Sequence, residues 1–106
     1  MEKSKNLSVQ AVGIPWYKEA DFLRLRALFV DGQKLHPTFL QWKDAAEQLH
    51  KRLIRQGVVV VKAYIDPDTF PAWCAANGHD VDANGRNAFA NVEAARVLRA
   101  SGQMPT

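Results

Sequence analysis

Six consecutive residues carry the sharpest chemical pattern in the chain: Asp80-Val81-Asp82-Ala83-Asn84-Gly85. Short oxygen-bearing side chains recur at alternate positions, and the glycine permits a sharp turn. A loop that wraps a hard divalent cation such as calcium uses this arrangement, with Asp80, Asp82 and Asn84 as the candidate ligands. Aspartates just before a helix have a second use. They cap free N–H groups and complement the helix dipole, and the surrounding sequence favours this role. A second set is cationic: Lys51, Arg52 and Arg55 fall within a turn and a half, where they suit either a helix C-terminus or an anionic contact. The remaining reactive residues are scattered. His36, His50 and His79 lack metal-ligand spacing. Cys74 lies on the apolar side of a helix, which suits a small buried hydrophobe better than a nucleophile. No glycine-rich phosphate loop, nucleophile elbow or paired-carboxylate arrangement occurs. The chain is therefore expected not to be an enzyme and to carry no cofactor and no metal.

Two family resemblances are carried by these residues. The run Asp80 to Gly85 resembles the first half of an EF-hand calcium loop. The second half departs from that pattern, because Arg86 follows the glycine, Asn87 holds the eighth position and Asn91 stands where the bidentate glutamate belongs. Glu93 comes two residues late. The order strand, short helix, turn, longer helix across residues 60–100 is similar in layout to the ribbon-helix-helix DNA-binding family. That resemblance implies a dimer whose paired strands enter the major groove, with Lys62 and Tyr64 towards the bases and Val61, Ala63 and Ile65 towards the core. It covers about 40% of the chain. Asp66, Asp68, Asp80 and Asp82 would put negative charge near where phosphates lie.

A chain of 106 residues is long enough for one core, and 47% hydrophobic with 24% charged residues are ordinary globular values. The reading is one domain over 1–106, with loose tails at 1–6 and 102–106. The net charge of +3 is spread out, which permits an acidic partner or nucleic acid without arguing strongly for either. No apolar run reaches the roughly 20 residues that span a bilayer. A basic N-terminus with no apolar segment behind it, and a single cysteine, lead to an expected cytoplasmic location away from membranes.

The element that must position everything else is Gly57-Val58-Val59-Val60-Val61-Lys62-Ala63-Tyr64-Ile65. Four valines in a row are stiff at χ1 and crowd a helical turn, so they specify a strand over 58–65. A lone strand leaves its backbone groups unpaired, so a partner strand is required, in this chain or in a second copy. Leu7 to Val12 alternates apolar and polar residues and is the in-chain candidate, with Gly13-Ile14-Pro15 expected to break it. A first helix is expected from about Lys18 to Val30, ended by Gly32. A second follows Thr38 with a stripe of Phe39, Trp42, Ala46, Leu49 and Leu53. A third is expected to be capped by Asp66 with Pro67 at its first position, and a fourth to span Ala83 to Ala100 behind Asp82, with Phe89, Val92 and Ala95 or Arg96 on its stripe.

These elements make an α+β fold: about four helices on a small sheet containing strand 58–65. The functional expectation is a small non-catalytic protein-interaction module that self-associates as a homodimer. A dimeric DNA-binding regulator is the alternative. Lys51, Arg52, Arg55, Lys62 and Tyr64 are the candidate contacts for nucleic acid or another anionic partner.

Overall fold

The computed structural model describes residues 11–101. Its elements run β1 (Ala11–Trp16), α1 (Glu19–Leu28), a 3-10 turn (Gly32–Lys34), α2 (Phe39–Arg55), β2 (Val59–Tyr64), α3 (Phe70–Ala76) and α4 (Ala83–Ala100). The architecture is α+β, with four helices around a two-stranded sheet among the described residues. β1 and β2 are parallel, in a register that sets Gly13 beside Val61 and Trp16 beside Tyr64.

The valine run finds its partner inside the chain: Ala11 and Val12, at the end of the expected strand, pair with Val59 and Val60. Leu7 to Gln10 lies outside the described residues. The strand instead continues through Gly13-Ile14-Pro15, which were expected to break it. Both residues have a physical reason to be there. Ile65 N–H donates to the Trp16 carbonyl, so the backbone groups of Trp16, Ile14 and Val12 point at β2, and those of Pro15 and Gly13 point away. The missing N–H of Pro15 therefore falls on the outer edge, where a ladder loses nothing. At Gly13 a Cβ would stand 2.0 Å from the Ala90 carbonyl oxygen. Only glycine lets α4 lie this close to the sheet.

Alternation divides the sheet between two helical layers. Gly13, Val61 and Ala63 share the face turned to α4, whose buried residues are Gly85, Arg86, Ala90, Ala94 and Leu98. The observed stripe differs in part from the expected one: Phe89 packs on Phe70 and Trp73 as expected, but Val92 is 53% exposed and Arg96 pairs with Glu93 at the surface. Small alanines, not the larger side chains, face the sheet because the approach is close. On the other face Trp16 meets Trp42 of α2 with ring centroids 5.2 Å apart. Phe22 of α1 meets both Phe39 and Trp42.

Helix ends follow local chemistry. Thr38 Oγ1 accepts the Gln41 N–H, and Asp82 accepts the Gly85 N–H, as their positions predict. α2 and α3 end on Gly57 and Gly78, at φ 81° and 73°. Each closes a Schellman pair of bonds or its outer member, Val58 N–H to Leu53 and His79 N–H to Cys74. α1 stops earlier than expected, at Leu28, because Val30 N–H turns to donate to the Val81 carbonyl. Gly32 is not a left-handed cap there; its Cβ would lie 1.7 Å from the Arg26 carbonyl oxygen. α3 likewise starts later than Asp66-Pro67. Asp66 Oδ1 accepts the Asp68 N–H in a turn, and the helix begins at Phe70 with Pro71 behind it.

Candidate functional site

The open edge of β2 is the feature most at odds with a self-contained domain. Since Ile65 N–H points at β1, the backbone groups of Ala63 and Val61 do so too, and those of Tyr64, Lys62 and Val60 point outward. Among the described residues no third strand pairs with them. An unpaired strand edge is a template for another chain.

The side chains beside this edge are ordered by aromatic packing. The Lys62 ammonium sits 4.3 Å from the centroid of the Trp16 ring, an attractive cation–π contact. The same ring lies 6.3 Å from His50 of α2. Lys62 is therefore half-buried on the face that α2 covers, whereas Tyr64, at the end of the strand, is 50% exposed. Along α2 two open grooves follow one flank. One, of about 460 Å³, is lined by Leu40, Lys43, Asp44, Glu47 and Lys51. The next, of about 420 Å³, is lined by Glu47, His50, Lys51, Ile54 and Arg55. The structure thus brings Lys51 and Arg55 together, but beside Glu47 and two exposed apolar residues rather than in a purely basic field. Arg52 lies outside both grooves.

The candidate calcium loop runs into α4. The helix begins at Ala83, the fourth position of the would-be loop, so Asn84 and every later residue are already helical. Asp82 spends its carboxylate on the Gly85 N–H. Gly85 makes no open turn; its Cβ would lie 2.2 Å from the Asp80 carbonyl oxygen and 3.2 Å from the Cys74 sulfur. Asp82 thus serves as the cap of α4 and Asn84 lies within it, and among the described residues no three His, Cys, Asp or Glu side chains group as metal ligands. The three histidines stay apart: His36 is exposed, His50 lies on Trp16, and His79 stacks on Trp73 at 5.8 Å.

Cys74 is fully buried. Burial pushes its thiol pKa up, and the Asp82 and Asp80 carboxylates push it further. A thiol held protonated and shielded from solvent is a poor nucleophile. Native protein at neutral pH is expected to resist iodoacetamide, and Cys74 to be alkylated at the ordinary rate in denaturant; rapid modification of the folded chain would show the site to be open.

One cluster was invisible in the sequence. Arg86, buried on α4, donates from Nη1 and Nη2 to the two carboxylate oxygens of Asp31 at 2.7 and 3.2 Å, and its guanidinium lies 4.5 Å over the Phe29 ring. Asp31 also accepts the Ala83 N–H, so it caps α4 from another part of the chain. Nearby Tyr17 is raised to about 12 by burial, which outweighs the lowering by Arg86. Tyr17 and Arg86 line a shallow cleft of about 290 Å³ along β1, with Trp42 and Leu49 opposite. Residues 31 and 86 are far apart in sequence, and neither shows a periodic signal that would join them.

These features define a helix-rich α+β domain whose two-stranded parallel sheet has both outer edges unpaired among the described residues. The chain matches no protein-family model, no curated protein and no solved structure. No described helix is long and apolar enough to cross a membrane.

Proposed function

We propose that the protein is a non-catalytic interaction module that self-associates, with the outer edge of β2 as the contact. The observation that carries this reading is the row of backbone groups at Val60, Lys62 and Tyr64, unpaired among the described residues, with Tyr64 half-exposed. A second copy of β2 laid antiparallel against it would give those donors and acceptors partners, at roughly 0.5–1.5 kcal/mol per hydrogen bond formed. It would also turn a two-stranded sheet, short for independent stability, into four strands.

The DNA-binding layout would use the same strand pairing but needs one face of the ribbon free to enter a groove. Here Val61 and Ala63 lie under α4, and Lys62 lies on Trp16 beneath α2. That coverage favours a protein partner.

Light scattering across a dilution series tests the reading. A mass of two chains at micromolar concentration, falling towards one on dilution, is expected. A single-chain mass at every concentration would remove self-association.

A further inference from the structure

The cleft along β1 has apolar walls and two polar groups set deep in it. Ile14 and Pro15 come from β1, and Trp42, Ala46 and Leu49 from α2. Tyr17 and Arg86 line the same cleft, although they are only 3% and 8% exposed. Apolar walls with a few converging polar groups are the general form of a small-molecule site, and about 290 Å³ lies near the lower limit of such sites.

Both polar residues keep a donor that the fold does not use. No described residue shares a hydrogen bond with the Tyr17 hydroxyl, and the charges of Arg86 and Asp31 both reach it, which places it beside the ion pair. Nor is the hydroxyl sealed in. Among the described residues, the buried side-chain atom that lacks both a partner and contact with solvent is Arg26 Nε. The Tyr17 hydroxyl therefore opens onto space that the residue lines, and that space is this cleft. With its pKa pushed up to about 12 by burial, it keeps its proton to donate at neutral pH. Arg86 gives Nη1 and Nη2 to Asp31 and retains its Nε–H on the same terms. Buried polar groups are almost always hydrogen-bonded. Two unused donors in an apolar cleft call for an acceptor.

We propose that the cleft binds a small uncharged molecule, a flat apolar body bearing a carbonyl oxygen that accepts from Tyr17 and Arg86. A carboxylate suits the site less well. Asp31 already neutralises Arg86, so a second carboxylate would come beside the first without a cation of its own. The apolar body lies against Trp42, whose ring is already held 4.6 Å from that of Tyr17. The site follows β1 and not the outer edge of β2, so it does not depend on self-association.

The test titrates the full chain with benzamide and, separately, with benzoate, followed by proton–nitrogen NMR, for wild type and Tyr17→Phe. Benzamide is expected to give saturable shifts at the amides of Ile14, Tyr17, Leu49 and Asn87, and benzoate to bind at least about tenfold more weakly. Tyr17→Phe should weaken benzamide about three- to tenfold, the loss of one hydrogen bond. Without ligand, Tyr17→Phe should melt at or above the wild-type temperature, because the hydroxyl it removes has no partner in the fold. A clear fall in that melting temperature would show that the fold itself bonds the hydroxyl, and would overturn the proposal. So would benzamide shifts that never saturate or lie away from the cleft, equal affinity of the two proteins, or benzoate binding as tightly as benzamide.

Discussion

Gly13→Ala is expected to cost about 3 kcal/mol or more, the upper end for overpacking, and to lower the melting temperature by roughly 12 °C or more. The added methyl would sit 2.0 Å from the Ala90 oxygen and 2.5 Å from the Ala90 carbonyl carbon. These are backbone atoms in the middle of α4, so no rotamer change relieves the contact. Either the helix lifts off β1 or the strand shifts in register, and both separate Ala90 and Ala94 from the sheet. Gly57→Ala provides the contrast. No atom of the described residues lies within 4 Å of its added Cβ, but φ is 81°, so the expected cost is the left-handed strain, about 1–2 kcal/mol. Circular-dichroism melts of the two variants measure the difference. A Gly13→Ala protein that melts like wild type would mean that α4 does not lie on β1 as described.

Asp31→Ala is expected to destabilise the fold by about 3 kcal/mol or more, because it strands the Arg86 guanidinium in a buried position. The side chains of the pair are 9% and 19% exposed, for Arg86 and Asp31. Asp31 does two further things that alanine cannot: it caps α4 through the Ala83 N–H, and it joins the end of α1 to the start of α4. Removing both charges in Asp31→Ala/Arg86→Met should cost less than the sum of the single changes, since no buried charge is then left without a partner. The pair also predicts a pH dependence. Hydrogen bonding to Arg86 holds the Asp31 carboxyl below its ordinary value of 3.8. Its contribution is therefore fully present above that value, where the unfolded chain is also ionised, and is lost as pH falls below 3.8 towards the lowered folded value. Urea titrations from pH 6 to 2 should show wild type losing stability in that acid range and Asp31→Ala losing less there. Parallel pH profiles for the two proteins would remove the ion pair from the account.

Local chemistry was legible in the sequence and close tertiary approach was not. The four valines specify β2, Thr38 and Asp82 cap their helices, and Gly57 and Gly78 end theirs, because each depends only on neighbouring residues. Gly13 and Pro15 read as breakers, since a glycine demanded by another helix looks the same in sequence as one demanded by a turn. Likewise a proline on an outer edge looks the same as one that ends a strand. The stripe of α4 was misread for a related reason. Larger side chains at 89 and 92 outweigh alanines in any hydrophobicity pattern, yet only Phe89 packs against the core, on Phe70 and Trp73, while Val92 is exposed and Ala90 and Ala94 are buried. The candidate contacts separated in the same way: Lys51 and Arg55 share a groove by helical spacing, whereas the burial of Lys62 against Trp16 depends on which strand pairs with which.

Amide hydrogen exchange followed as a function of protein concentration tests the open edge most directly. The N–H groups of Val60, Lys62 and Tyr64 point away from β1, and those of Val61, Ala63 and Ile65 point towards it. If β2 completes its sheet with a second copy, the three outward amides exchange quickly in dilute protein and become protected as concentration rises, while the inward three stay protected throughout. Outward amides whose exchange does not change with concentration would contradict the proposal that this edge is where the protein meets its partner.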